Sequence, residues 1–395
     1  MKMRFLLVLC LLFSTRSYAQ LLQIRGQVID KANGHPLPQA SVFISNTSIG
    51  TVTDESGRFQ LSGNYLGNSE LVVSYIGYET VALRLEGKTD SFLLIPLPAR
   101  NEELQSIIVR NYEKNGWDHW GFLFKNNFLG VSTYADNCRI LNEKAIGFIY
   151  SEEKQVLNAY AAEPIVIINK KLGYRIEFRL EHFTFNMSTK LLFFEGYTSF
   201  QDLPGSERQK AKWANERHKV FNGSFMMFAR LLCQNKLLEN GFVVHKLIRV
   251  PNKEKQRVKF KLDYMVNTLH NDKDSLAYYK RVMDQSDYSD YLLKDTLSFN
   301  QIAYRISANS VQLKFKDYLY ITYPSNKANE PIFQFRRDVT SNGLFTSIIN
   351  LENSGGVAIY DNGAYHDPTG IIFTGYWEWS EKIGMMLPLD YSPNL

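Results

Sequence analysis

Seven histidines are the side chains best able to hold a catalytic zinc, and their spacing argues against one. A zinc carboxypeptidase needs a His with a Glu three residues on, and other zinc peptidases use H-E-x-x-H on a helix. At the offset of three this chain places Pro38, Phe122, Phe185, Phe221, Ile248, Lys273 and Thr369, so no such ligand pair exists. Asp284, Ser286, Asp287, Asp290 and Asp295 have the look of a calcium loop. The sixth position is Ser289 rather than Gly, the fifth is Tyr288 and the twelfth is Asp, which favours a solvated acidic loop. No G-x-S-x-G elbow, P-loop or dinucleotide fingerprint occurs. The expectation is no metal, no cofactor and no assignable catalytic residue.

Binding chemistry has more candidates. Sugars stack on indole and phenol rings, and the tryptophans are Trp117, Trp120, Trp213, Trp377 and Trp379. Trp213 and Arg217 stand four apart in a helical stretch, where they could present a stacked pair to a ligand or simply pack on each other. Arg175 belongs to the run Arg175, Glu177, Arg179, Glu181, either the lining of a groove or an exposed sheet face with cross-strand ion pairs. Arg208, Lys210, Lys212, Arg217 and Lys219 on a helix, with the basic residues from Lys246 to Lys261 on strands, form a basic stretch that could meet lipopolysaccharide phosphates, anionic glycans or an acidic partner, or be a solvated face. Trp213, Arg217, Arg175 and Trp377 are the binding candidates.

The elements that must position them follow from periodicity. Trp117, Trp120, Phe124 and Phe128 recur at helical spacing. Strands are expected at 145–151, 155–161, 164–169 and 173–186, the last with Tyr174, Ile176, Phe178 and Leu180 inward, and Leu191 to Tyr197 pairing with it. Ser206 to Asn240 reads as two helices or one broken at Asn222-Gly223-Ser224, with Phe221, Phe225, Phe228 and Leu232 as a core stripe. Strands are then expected at 242–250 and 256–266, a polar acidic stretch over 272–295, and strands near 310–316, 318–323, 331–337, 344–351, 356–360 and 370–374. Tyr376 to Met386 closes the pattern as a helix.

Ahead of all this, residues 23–97 hold seven short alternating apolar runs separated by turns such as Asn33-Gly34 and Ser56-Gly57, the pattern of a small β-sandwich. Gly26, Val28, Asp30, Pro36-Leu37-Pro38, Ala40, Val42, Gly50, Thr51, Thr53-Asp54, Gly57, Phe59, Leu61 and Val73-Ser74-Tyr75-Ile76-Gly77-Tyr78 together resemble the carboxypeptidase-regulatory-like domain. The resemblance implies a transthyretin-like, non-catalytic accessory sandwich, of the kind found beside carboxypeptidases and at the front of TonB-dependent receptors that import glycans. Glu103 to Val109 is similar to the segment that precedes the plug of those receptors. The residues beyond are too few for a plug and a barrel of about 22 strands. They resemble instead an uncharacterised region that accompanies the same sandwich in other envelope proteins, through Phe128-Leu129-Gly130, Cys138-Arg139-Ile140-Leu141-Asn142, Leu172-Gly173-Tyr174 and Pro388-Leu389-Asp390-Tyr391.

Met1 to Ala19 has Lys2 and Arg4, an apolar run and a small-residue end, the form of a secretory signal. Its removal leaves 42 basic against 40 acidic residues, so the formal charge of +5 is no argument for nucleic acid. Cys138 and Cys233 are not spaced as a disulfide framework, and Cys233, within an apolar run, is expected as a buried free thiol. The expected architecture is mainly β with some α. A signal (1–19) precedes a seven-stranded β-sandwich (20–98), a connector (99–114) and an α+β, mostly antiparallel domain (115–395). The expected role is an exported periplasmic or outer-membrane-associated protein that binds an envelope protein or glycan, with no nucleic acid and no transmembrane helix. A hydrolase of envelope polymers is the competing class, and a pocket holding two carboxylates about 5–10 Å apart beside aromatics would favour it.

Overall fold

Alternating burial resolves the front of the chain into seven strands: β1 (Leu21–Asp30), β2 (Ser41–Ile44), β3 (Gly50–Val52), β4 (Arg58–Asn64), β5 (Glu70–Ser74), β6 (Val81–Arg84) and β7 (Phe92–Leu97). A computed structural model describes residues 21–64, 69–85, 92–101, 112–265, 273–324, 340–341 and 343–393. The expected signal, Glu103 to Val109 and the strand near 331–337 lie outside the described residues. The strands form two sheets, β4-β1-β7 and β3-β2-β5-β6. Between them lies a core that includes Ile24, Val28, Val42, Ile44, Leu71, Val73, Ile95 and Leu97. This is the sandwich that the alternation called for.

The rest of the chain encloses two further hydrophobic clusters rather than one. The first is built on α1 (Gly116–Phe128), β8 (Cys138–Ile140), β9 (Ile146–Ser151), β10 (Val156–Ala161), β11 (Ile165–Asn169), β12 (Tyr174–Asn186) and β13 (Leu192–Asp202). The sheet runs β8-β11-β12-β10-β9, with β13 paired along β12. Tyr174, Ile176 and Phe178 face inward as their period of two requires. Phe124 and Phe128 of α1 stack on each other at 4.9 Å and meet Phe183 and Phe178 of β12. A register shift between Leu180 and His182 then turns the second half of β12.

Next come α2 (Glu207–Phe221) and α3 (Phe225–Gln234), each started by a serine hydroxyl. Ser206 Oγ accepts from Gln209 N, and Ser224 Oγ accepts from Met227 N. The break between them falls where the chain changes core. Val220 and Phe221 belong to the first cluster, while Phe225, Phe228 and Leu232 belong to the second. Gly223, at φ 79°, makes the turn that lets one apolar stripe serve both.

The remaining elements, most of which line the second cluster, are β14 (Val243–Pro251), α4 (Lys253–Met265), α5 (Lys273–Met283), β15 (Tyr288–Thr296), α6 (Phe299–Ile302), β16 (Ala303–Ser307), β17 (Ser310–Leu313), β18 (Tyr318–Pro324), β19 (Thr340–Ser341), β20 (Leu344–Leu351), β21 (Val357–Tyr360), β22 (Tyr365–His366), β23 (Ile371–Gly375) and α7 (Tyr376–Ser380). One sheet is ordered β15-β14-β18-β20-β19 with β23 on β20, and the other β16-β17-β21-β22. All their pairings are antiparallel. The architecture is therefore mainly β with some α, a seven-stranded sandwich followed by α+β structure that is mostly antiparallel. Among the described residues no helix is long and apolar enough to cross a membrane.

Three local expectations are corrected. The strand expected over 256–266 is the helix α4. Its alternating lysines imitate a strand face, but Asn252 Oδ1 accepts from Lys255 N to cap a helix, Glu254 pairs with Arg257 one turn on, and Val258 is buried. The stretch 272–295, expected only as polar and acidic with a solvated loop over 284–295, contains α5 and β15. Every residue of β15 is exposed, so it carries no apolar alternation to read. Tyr376 to Met386 is helical only to Ser380, with a short 3₁₀ turn over Ile383–Met385.

Both cysteines are free, and burial pushes the Cys138 thiol up to about 12 and the Cys233 thiol to about 11. Where the two larger cores meet, Glu381 Oε1 accepts from Phe225 N at 3.2 Å, at the head of α3. Burial pushes the Glu381 carboxyl up to about 7. The folded state therefore holds a proton that the unfolded chain releases near 4.5, and stability falls as pH rises from there through about 7. Lys382, depressed by burial to about 8, acts at higher pH instead. Thermal melts of Glu381→Gln, compared with the parent at about pH 5 and about pH 8, should show a gain on the order of 2 kcal/mol at the higher pH only. An equal pH response in both proteins would refute this assignment.

Candidate binding cleft at the junction of three units

The turn between β2 and β3 leaves the sandwich and joins the sheet of the first large core. Asn46 N donates to Thr198 O at 2.7 Å, and Thr47 O accepts from Phe200 N at 3.0 Å, a short parallel splice onto β13. Thr47 is almost fully buried there. The C-terminal segment closes the same joint. Leu389 N donates to Asn46 O at 2.7 Å, and Asp390 accepts from both the backbone N and the hydroxyl of Ser48.

Arg230 holds this C-terminal segment from the other side. Its guanidinium, on the mostly apolar helix α3, donates to Tyr391 O at 2.9 Å, Leu389 O at 3.0 Å and Asn362 O at 3.0 Å. Burial lowers the pKa of the group, offset by Asp361 and Asp390 nearby. Sequence reasoning did not single out Arg230. The available signal was a lone arginine inside the run Phe225–Cys233, where a charge must find partners or cost several kcal/mol, about 3–5 in measured cases.

These contacts bound a cleft of about 480 Å³ lined by Ser48, Tyr174, Asp202, Ala214, Asn215, Arg217, His218, Pro388, Asp390, Tyr391 and Ser392. The sandwich supplies one wall, β12 and β13 a second, α2 a third and the C-terminal segment the fourth. Arg217 is its best-anchored group. The guanidinium lies 3.7 Å from the centre of the Tyr174 ring, Nε donates to Leu172 O, and Nη2 donates to Gly173 O and to Asp202 at 2.6 Å. Asn215 and His218 are exposed on the same helix and line the opening.

Of the four residues singled out by sequence, this site contains Arg217. Trp213 stands one turn earlier on α2 and supports it. Its Nε1 donates to Lys170 O at 3.0 Å, and its ring is covered by Gly173 and Gly205, leaving no face for a ligand. Gly173 is at φ 71°, and a Cβ there would overlap the indole. Arg217 therefore stacks on Tyr174 and not on Trp213. Arg175 lies on β12 and pairs with Glu177 of the same strand at 2.9 Å. Trp377 is 1% exposed in the other core and donates to Gly223 O.

The cleft contains two carboxylates, and each is committed. Asp202 pairs with Arg217 and Asp390 with Ser48, whereas a general acid needs a carboxyl kept neutral by its surroundings. Two of the four carboxylates of the calcium-like stretch are likewise engaged, Asp290 with Arg249 and Asp287 with Lys255. A second hollow, on the sandwich, is lined by Arg25, Asp54, Arg58, Gln60 and Phe92, and its Asp54 already accepts from two backbone N–H groups of its own turn. Replacing Arg230 by Met strands three carbonyls, so the unfolding free energy from urea titration should fall by about 2–3 kcal/mol, with faster proteolysis near residues 388–391. Unchanged stability would show that Arg230 does not hold the segment.

Comparison with known proteins bears on the sandwich. Residues 24–109 match the CarboxypepD_reg-like domain. The TonB-dependent receptor SusC of Bacteroides thetaiotaomicron is 31% identical over 111 residues, 28% of this chain and 10% of the receptor. The TonB-dependent receptor P39 of Formosa agariphila is 32% identical over 108 residues, 27% of this chain and 10% of the receptor. The chain thus spans a tenth of the length of these relatives. A solved Bacteroides fragilis structure, described as membrane-associated and of unknown function, aligns over 87% of this chain and 98% of its own at 9% identity, with a TM-score of 0.16 that carries no argument. The sandwich that forms one wall of the cleft is accordingly a CarboxypepD_reg-like domain, the part this chain has in common with TonB-dependent receptors.

Proposed function

We propose that this is an exported cell-envelope protein whose sandwich serves as a non-catalytic accessory module, and that the junctional cleft binds a glycan or a segment of a partner protein. The signal (1–19), sandwich (20–98), connector (99–114) and α+β region (115–395) are its parts in this reading. One observation carries it. Leu172-Gly173-Tyr174 and Pro388-Leu389-Asp390-Tyr391, far apart in the chain, meet around one opening together with Ser48 of the sandwich.

The chemistry of the walls suits a polar ligand. Asn215, Arg217, His218 and Asp390 offer planar donors and acceptors of the kind that read hydroxyl and amide groups, set in a concave site already shaped by backbone contacts. Kinship of the sandwich with parts of TonB-dependent receptors favours an envelope location. Hydrolysis is the weaker reading, because Asp202 and Asp390 are both occupied by structural partners.

Calorimetric titration of the full chain with soluble envelope glycans, and affinity capture from envelope extracts, test the reading. The double variant Asn215→Ala/His218→Ala touches only exposed side chains. It should leave the melting temperature unchanged and weaken binding or capture by about tenfold or more, as expected for losing one to two hydrogen bonds. Equal binding by parent and variant would sink the cleft as the site. Glycan cleavage that disappears in Asp202→Asn would favour the hydrolase, and recovery of the protein outside the envelope fractions would refute the location.

A further inference from the structure

We propose that the α4–α5 hairpin is a docking surface for an anionic lipid bilayer, independent of the junctional cleft. The two helices carry eight basic residues against three acidic ones, a strong local excess in a chain that is otherwise nearly balanced. Lys253, Lys259, Lys261 and Lys280 are exposed and have no ion pair among the described residues. On α4, Lys253, Arg257, Phe260 and Lys261 fall at helical spacing i, i+4, i+7 and i+8, so one outward face presents cations around a single ring. Val258, on the inward side, is buried.

Phe260 is 74% exposed, which no packing need explains. Leu276 on the outward side of α5 is 47% exposed, four residues from Lys280. Glu254 accepts from Tyr278 of α5 and from Arg257, locking the helices side by side while neutralising a single arginine. The apolar surface continues onto β15, where Tyr291, Leu292 and Leu293 are 58%, 47% and 41% exposed. That strand begins beside α4, through Asn252 N to Asp287 O and the Lys255–Asp287 pair at 3.0 Å. Asp287, just ahead of the strand, and Asp290 within it pair with Lys255 and Arg249, and Asp295, at its far end, lies beside Lys294 in the sequence.

Lysines on long flexible stems surrounding exposed Phe, Leu and Tyr are the chemistry of an interfacial surface. The ammonium groups reach lipid phosphates, the apolar side chains enter the headgroup and acyl boundary, and tyrosine suits the interface between them. An acidic protein partner would pair with the lysines but would need a preformed pocket for Phe260, which a bilayer does not require.

The test is sedimentation of the full chain with vesicles of phosphatidylcholine alone and of phosphatidylcholine with phosphatidylglycerol, at low and high salt. Binding is expected only to the anionic vesicles and only at low salt. Lys259→Gln/Lys261→Gln/Lys280→Gln should weaken partitioning on the order of a hundredfold, and Phe260→Ser by roughly tenfold, with unchanged circular dichroism because all four side chains are exposed. Asn215→Ala/His218→Ala should bind vesicles like the parent, which separates this surface from the cleft. Absence of vesicle binding, equal binding to neutral vesicles, parent-like binding by the lysine variant, or capture by soluble polyglutamate in place of vesicles would each overturn the proposal.

Discussion

The three-residue turn Asn46–Ser48 is the constraint on which the rest of the arrangement depends. It is a loop of the sandwich, but three of its backbone groups bond outside the sandwich, to Thr198 and Phe200 of β13 and to Leu389 of the C-terminal segment. A buried peptide group without a partner is costly, so Thr47, at 1% exposure, ties the sandwich to the neighbouring sheet as a rigid joint rather than a tether. Asp390 adds a charge-assisted contact to Ser48 at the same point. The cleft exists because this joint fixes the sandwich wall against α2.

The C-terminal segment does for the two larger cores what the turn does for the sandwich. Leu387 packs in the first core, Leu389 bonds to the sandwich, and Arg230 of the second core grips the carbonyls of Leu389 and Tyr391. Arginine suits this place because its planar fork addresses three carbonyls at once without a proton to lose. Glu381 performs a related service one turn earlier, where its acceptor meets the head of α3. The cost there is a carboxyl held partly away from water, visible in its raised pKa.

The two faces of the molecule differ in kind. The cleft is concave, polar and framed by groups already in use, so it offers a ligand shape and a few free donors such as Asn215 and His218. The α4–α5 pair and β15 present an exposed surface, with lysines such as Lys259 and Lys280 that have no ion pair among the described residues beside the exposed ring of Phe260. In the roles proposed for them, the first works by geometry and the second by charge and apolar area. A single chain holding both is suited to engaging a polar ligand while resting on a surface.

Local periodicity made the sandwich legible, because each of its strands buries alternate residues and each turn announces itself by Gly, Asn or Pro. The same holds for β12, for α1 and for the serine-capped helices α2 and α3. It failed for β15, which buries nothing, and for α4, where lysines at alternate positions mimic a strand although a single valine sets the helical face. Arg217 could be singled out from sequence, but its partners could not. Tyr174 and Asp202 arrive from β12 and β13, and the facing wall, with Asp390, comes from the far end of the chain. Sequence by itself determined the modules, since each is written in the short-range pattern of its own burial. Only the tertiary structure decided the cleft, because its walls are joined by backbone hydrogen bonds and a carboxylate across long separations, which leave no periodic trace in the chain.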